Sequence, residues 1–334
     1  MSAQIRPGAG AQHSRIAGVG GYRPKRVVTN AEICEYIDSS DEWIRSRSGI
    51  QTRRWAGPDE TVAEMSVAAA GKALAQAGVA PDQVGCVLVA TVSHLLQTPS
   101  VAADIAHRLG ATRAAALDIS AACAGFCYGV AMASDMVRGG SAEYVVVIGV
   151  ERLSDITDPH DRSTAFLFGD GAGAVVIGPS DTPGIGPVAW GADGSQLDVI
   201  EQTNSWLELR DNPDLSWPVL RMAGQTVFRW ASYQMVPVAR QAMELAGVTA
   251  QDLDAFIPHQ ANMRITDAMI RALKLPAHVP VARDIAETGN TSAASIPLAM
   301  ERMLGSGEVA SGGIALLIGF GAGLVYAAQV VTLP

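Results

Sequence analysis

Residues 72–91, KALAQAGVAPDQVGCVLVAT, and residues 241–260, QAMELAGVTAQDLDAFIPHQ, read as two copies of one unit. Each runs from a helix-forming stretch into an Ala-Gly-Val stop, then a short acidic linker, then an apolar run of strand type. A second pairing follows in the same order: residues 169–173, GDGAG, beside residues 319–323, GFGAG. Two pairings in one order point to a duplicated α/β half. Working outward, residues 87–91, 144–149 and 255–258 read as strands. Residues 63–77, 102–109, 124–138, 227–246 and 261–273 read as helices. The uncharged stretch 311–334 reads as two buried strands around a glycine turn, with a membrane span as the lesser alternative. This alternation implies helices layered on mixed or parallel sheets. The Pro- and Gly-rich run GPSDTPGIGP at residues 178–187 is the best boundary. It gives an N-terminal half over 1–178, a connecting loop over 179–187 and a C-terminal half over 188–334.

Composition limits what such a chain does. Hydrophobic residues make up 49% of its 334 positions and charged residues 17%, which predicts a sizeable core rather than disorder. A net charge of −9 argues against nucleic-acid binding, which needs a basic footprint. Four cysteines, Cys34, Cys86, Cys123 and Cys127, form no CxxC pair and no second pair completes a zinc site. They are too few for a disulfide scaffold, so a reducing, cytoplasmic setting is expected. The first fifteen residues are polar and lack the apolar core of a signal peptide.

Four segments carry residues suited to chemistry. In Asp118-Ile119-Ser120-Ala121-Ala122-Cys123-Ala124-Gly125-Phe126, a strand-like approach ends in small residues before a helix. That places Cys123 at a helix N-terminus, where aligned N–H groups favour thiolate and lower the thiol pKa. A buried structural cysteine is the plain alternative. In Ile257-Pro258-His259-Gln260-Ala261-Asn262, His259 stands where a strand ends, the position at which open α/β sheets collect site residues. A lone histidine there is otherwise structural or solvated. In Thr288-Gly289-Asn290-Thr291-Ser292-Ala293-Ala294-Ser295, Asn290 either caps a helix or offers an amide N–H to a developing oxyanion. The run Gly319-Phe320-Gly321-Ala322-Gly323 lacks GxGxxG spacing and is no dinucleotide fingerprint. Its glycines permit close backbone approach instead.

Together these segments resemble the thiolase-fold condensing enzymes, and within them β-ketoacyl-[acyl-carrier-protein] synthase III. Further matches are Asp41-Glu42-Trp43-Ile44, Arg47, Gly49-Ile50 and Phe168-Gly169-Asp170-Gly171-Ala172-Gly173, so the resemblance runs from about Ile16 onward. It implies an α/β thiolase-like fold, two duplicated halves in a layered αβαβα architecture, and a homodimer. Thiolases use a second cysteine near the C-terminus, whereas the last cysteine here is Cys127. Chain-elongating synthases use two histidines, whereas Asn290 stands where the second would fall. Chalcone-synthase-like enzymes share Cys-His-Asn but differ around the motifs.

The resemblance implies a decarboxylative Claisen condensation of an acyl-CoA primer with malonyl-[acyl-carrier protein], giving 3-ketoacyl-carrier protein, CoA and CO₂ in type II fatty acid biosynthesis. Cys123 is then the acyl acceptor, His259 and Asn290 the hydrogen-bond donors in decarboxylation, and the Cys123 and Gly321 backbones the oxyanion hole. No metal or other cofactor is implied, since acyl-CoA is a substrate. Trp43 and Arg162 would sandwich the CoA adenine, with Arg47 near the phosphates. Asn262 and Gly224 would line the pantetheine tunnel and Phe168 the acyl pocket. Thr98 would reach the partner's acyl pocket, where acetyl-specific members carry a bulky aromatic, so short branched or medium primers are expected. Arg264, Arg271 and Lys274 fall at i, i+7 and i+10 on one helix side; with Arg229, added by resemblance, they form a basic face for the acidic carrier protein. A starter-unit ketosynthase or acyltransferase of a polyketide pathway keeps the same motifs. A non-catalytic carrier-binding subunit does not fit the intact Cys123, His259 and Asn290.

Overall fold

The helix–stop–strand unit forms twice in the computed structural model, which describes Ile5 and residues 8–334. The expectation for the polar opening segment falls partly on residues 1–4, 6 and 7, outside the described residues. Helix α1 (Val62–Ala77) ends on Gly78 at φ 65°, and strand β2 (Val84–Ala90) follows. Helix α4 (Gly224–Ala246) ends on Gly247 at φ 69°, and strand β7 (Ala255–Pro258) follows. Both stops close identically: Gly78 N–H donates to Ala75 and Val79 N–H to Leu74, as Gly247 does to Glu244 and Val248 to Met243. A left-handed glycine satisfying the last carbonyls is what the Ala-Gly-Val triplet supplies.

Each half builds a sheet of one pattern. The first holds β1 (His13–Tyr22), β2, β3 (Ala115–Ile119), β4 (Tyr144–Glu151) and β5 (Gly171–Ser180) in the order β1-β5-β4-β2-β3. The second holds β6 (Ala189–Ala192), β7, β8 (Ile314–Gly321) and β9 (Val325–Thr332) in the order β6-β9-β8-β7. A bridge from Phe256 to Val281 extends it in parallel, where β3 lies in the first sheet. The counterpart of β4–β5 is thus β8–β9. The Gly169–Gly173 and Gly319–Gly323 pairing does not survive this frame: Gly171 opens β5, whereas Gly321 closes β8. Pro179 and Ser180, expected in the connecting loop, belong to β5. The tail forms the two strands β8 and β9 around Ala322, Gly323 and Leu324, as expected.

Helices α1 and α2 (Val101–Leu109) cover the outer face of the first sheet. Helix α4, with α5 (Met263–Leu273) against it, covers the second. Between the sheets lie α3 (Gly125–Gly139) and α6 (Ser295–Gly305), giving five layers. Strands buried on both faces read as unbroken apolar runs. In β4, Val145 and Val147 join the central core, while Val146, Ile148 and Val150 join the outer one. In β8, Ala315 and Leu317 face the centre, and Leu316, Ile318 and Phe320 face α4. Among the described residues no helix is long and apolar enough to cross a membrane.

Candidate active site

The central helices bring the chemical residues together. Before α3 and before α6 the chain makes a short 3-10 turn, Ala122–Ala124 and Ser292–Ala294. Each opens on a non-glycine residue with positive φ, Ala122 at 43° and Ser292 at 47°. The two turns pack against each other. Cys123 sits in the first, and Asn290 stands just ahead of the second. His259 follows β7, and its N–H is held by the Ile318 carbonyl at 2.8 Å. Cys123, His259 and Asn290 all line the floor of one cavity of about 1040 Å³.

Each side chain is aimed by its partners. Asn290 Oδ1 accepts from Ser292 N at 2.8 Å, which leaves its Nδ2 free to donate into the cavity. Its backbone is pinned on both sides, N to the Leu167 carbonyl at 2.9 Å and O from Gly169 N at 3.0 Å. His259 Nδ1 lies 2.8 Å from Ser295 Oγ, which also accepts from Gln260 N at 3.3 Å. Ser295 can donate its own proton to Nδ1, and in that tautomer Nε2 carries the N–H. Burial drives the His259 pKa down to about 3, so the ring is a neutral donor. Phe320 meets it edge-on at 5.3 Å.

Cys123 departs from expectation. Its surface opens on the cavity rather than on bulk water, and this desolvation pushes the thiol up to about 12. The Ser292 hydroxyl beside the sulfur opposes that rise, and the Glu151 carboxylate adds to it. Helix α3 itself begins two residues beyond Cys123, so the helix terminus does not outweigh burial, and the resting group is a thiol. Gly321 lies directly on it: a Cβ there would fall 2.9 Å from both Cys123 Cβ and Cys123 N. Only a glycine lets β8 run this close to the nucleophile.

Beyond Cys123, His259 and Asn290 the cavity is lined by Trp43, Arg47, Arg162, Gly224, Arg229, Asn262 and Arg264, and by Phe168, which is buried and bridged to Asn290. The expected sandwich is not open, because the Arg162 guanidinium lies over the Trp43 ring at 4.8 Å, with Arg47 at 5.8 Å. A purine enters between them only if Arg162 swings aside. Asn262 lines the wall, but its amide is already engaged: it caps α5 through Arg264 N and donates to the Arg47 carbonyl at 3.1 Å. That cap is why α5 starts at Met263 rather than at residue 261. Arg264 stacks on Phe228 at 5.3 Å, and it and Arg229 form the rim. Arg271 and Lys274 lie exposed at the far end of α5, away from the cavity. Thr98 is exposed between β2 and α2 and does not line the cavity of its own chain.

Sequence reasoning missed three groups: Glu151, Ser292 and Ser295. Glu151 is fully buried at the end of β4, accepting from Thr91, Val92, Ser93 and Ser292. Its one legible signal was a carboxylate closing the uncharged run YVVVIGV.

The family model for 3-oxoacyl-[acyl-carrier-protein] synthase III matches residues 117–194, and the model for its C-terminal part matches residues 243–333. The chain is 62% identical over 341 residues to β-ketoacyl-[acyl-carrier-protein] synthase III 1 of Streptomyces coelicolor, with 99% of each chain covered. It is 51% identical over 331 residues to the mycobacterial β-ketoacyl-[acyl-carrier-protein] synthase III of Mycobacterium avium, again over 99% of each. A priming β-ketosynthase from a polyketide biosynthetic pathway superposes with a TM-score of 0.97 at 50% identity, covering 100% of this chain and 99% of that one. The 3-oxoacyl-[acyl-carrier-protein] synthase III of Aquifex aeolicus superposes at 0.88 and 38% identity, covering 96% and 99%. With the duplicated sheets and the Cys-His-Asn floor, these similarities mean that the chain belongs to the β-ketoacyl-[acyl-carrier-protein] synthase III family of thiolase-fold condensing acyltransferases.

Proposed function

We propose that Cys123, His259 and Asn290 carry the decarboxylative condensation of an acyl-CoA primer with malonyl-[acyl-carrier protein]. The observation that supports this most directly is their convergence on one cavity floor, two neutral N–H donors facing a cysteine. In the first half-reaction Cys123 attacks the acyl-CoA thioester, keeps the acyl group and releases CoA. The tetrahedral oxyanion is met by the backbone N–H groups of Cys123 and Gly321.

In the second half-reaction His259 Nε2–H and Asn290 Nδ2 donate to the malonyl thioester oxygen. Loss of CO₂ then leaves an enolate held by two hydrogen bonds, and its carbon attacks the acyl-Cys123. A neutral histidine suits this role, because it polarises without delivering its proton to the carbanion that must attack. Trp43, Arg47 and Arg162 bind the nucleotide end of CoA, Gly224 and Asn262 flank its pantetheine arm, and Phe168 walls the acyl chain. A homodimer places Thr98 against the partner's acyl pocket, and Arg229, Arg264, Arg271 and Lys274 receive the acidic carrier protein. The reaction so written calls on no metal or redox cofactor, and the enzyme works in the cytoplasm.

The primer is the open variable, and the similarity to a priming ketosynthase of a polyketide pathway keeps a starter-unit role as the second reading. Mass spectrometry of the protein after exposure to acetyl-, butyryl- and isobutyryl-CoA tests the proposal. One acyl group should appear on Cys123 and none on Cys123→Ala. An adduct that survives in Cys123→Ala removes the nucleophile assignment.

A further inference from the structure

Cys123 opens only on the cavity, where desolvation pushes its thiol up to about 12, and His259, buried and driven down to about 3, is a weak base for its proton. Something else must hold that proton while the sulfur attacks. Ser292 and Cys123 line the same cavity from two turns packed together, and Ser292 Oγ lies 3.1 Å from Glu151 Oε1. Glu151 has no solvent-exposed surface, and among the described residues no cation pairs with it. Its other oxygen accepts from Ser93 Oγ at 2.5 Å, Val92 N at 3.1 Å and Thr91 Oγ1 at 3.3 Å. The groups facing it are therefore the hydroxyls of Thr91, Ser93 and Ser292 and, beyond Ser292, the Cys123 thiol. Arg152, next in the chain, turns to Asp155. A carboxylate buried among hydroxyls, one of them on the turn packed against that of the nucleophile, and with no cation paired to it among the described residues, is costly for the fold to keep.

Resting on the assignment of Cys123 as the nucleophile, we infer that Ser292 and Glu151 form a proton relay that takes the Cys123 proton during acylation and returns it after condensation. As the Cys123 sulfur bonds to the acyl carbon and the bond to the CoA sulfur breaks, the S–H proton passes to Ser292 Oγ. The serine's own proton passes to Glu151 Oε1. CoA departs as thiolate and is protonated by solvent. When the enolate carbon later displaces Cys123, the proton on Glu151 returns through Ser292 to the leaving sulfur, and the cycle closes with thiol and carboxylate restored. Burial raises Glu151 to about 7, which matches a group that gains and loses a proton at neutral pH. The positive φ of Ser292 is part of the same arrangement, since it tilts the turn that carries the hydroxyl.

The test is the rate of acylation by isobutyryl-CoA, and by acetyl-CoA as a second primer, read by intact-mass spectrometry from pH 5 to 9. The parent rate should rise with pH through an inflection near 7. Glu151→Gln keeps the shape of the side chain but accepts no proton. It should acylate about 100-fold more slowly at pH 7 and lose that inflection. Ser292→Gly removes the hydroxyl while easing the positive φ, so it should fold and give the same flat profile. A folded Glu151→Gln or Ser292→Gly that acylates Cys123 at the parent rate with the parent pH profile overturns the relay alone. An acyl group found on a residue other than Cys123 in the parent overturns the nucleophile assignment, and the relay with it.

Discussion

Replacing Gly321 with Ala adds one methyl group where strand β8 meets the nucleophile. That carbon would lie 2.9 Å from Cys123 Cβ, 2.9 Å from Cys123 N and 3.0 Å from Cys123 Sγ, where ordinary contact begins near 3.4 Å. The atoms it meets include backbone, and Gly321 is itself paired to Val325 across the hairpin. Strand and turn must therefore part by about half an ångström. The proposed oxyanion donors are the N–H groups of these two residues, so the parting opens the hole itself. A misplacement of about 1 Å costs on the order of 100-fold in rate, and outright loss of one donor about 100- to 1,000-fold. We expect both acylation and condensation to fall by about 100-fold. Overpacking should lower stability by only about 1–3 kcal/mol. Acylation followed by mass spectrometry, condensation followed by product formation, and denaturant unfolding measure the three quantities separately. Gly71→Ala, in the exposed interior of α1 with nothing within 4 Å of the new carbon, is the control and should add up to about 1 kcal/mol of stability with no change in rate. A folded Gly321→Ala that acylates and condenses within about twofold of the parent would refute the close-approach argument.

Further expectations concern the mouth, the primer, the carrier and pH. Trp43→Ala should raise KM for acyl-CoA by about tenfold while leaving acylation by a thioester without the nucleotide unchanged; equal effects on both would remove Trp43 from nucleotide binding. Thr98→Phe should depress butyryl and isobutyryl primers and spare acetyl, each lost methylene contact being worth about 0.8 kcal/mol; an unchanged primer profile would discard the cross-dimer assignment. Arg264→Glu with Arg271→Glu should weaken use of malonyl-carrier protein and its salt dependence while sparing self-acylation by acyl-CoA. If only the rim residue Arg264 mattered, the docking face would be smaller than proposed. Glu151 binds its proton more tightly folded than unfolded, about 7 against 4.5, so its contribution to stability is complete below about pH 4.5 and is lost as pH rises through 7. Relative to the parent, Glu151→Gln should therefore gain about 3 kcal/mol between pH 4.5 and pH 8 in urea unfolding; a difference that does not move with pH would contradict the raised pKa.

The duplicated unit was legible because its signals are local: a helical period, a left-handed glycine and an apolar run each act within a few residues. The glycine pairing failed for the same reason. Short glycine runs look alike whether they open a strand, as at Gly171, or close one, as at Gly321, and only strand pairing tells them apart. Cys123, His259 and Asn290 could be found at element ends, where a side chain has somewhere to point. The protonation state of Cys123 could not, because it depends on how much water reaches the sulfur, and the cavity floor is built by the two turns, Gly321 and Phe320 from separate parts of the chain. Glu151 carried only the signal of a carboxylate closing an apolar run, because the partner that matters lies far along the chain: the fold turns Arg152 to Asp155 and buries Glu151 under a turn 141 residues away.

The central layer has a consequence for how the molecule comes apart. Its core draws on Phe126 and Val130 from α3, Ile296 and Met300 from α6, and the inner faces of both sheets. Neither half can leave the other without exposing that whole surface to water, so loosening one half withdraws the support of the other and unfolding should be a single cooperative event. Cysteine alkylation offers a view of it. Cys127 in the central core and Cys86 beneath it are both buried, on different elements, and should become reactive together, at the global unfolding free energy rather than through separate local openings.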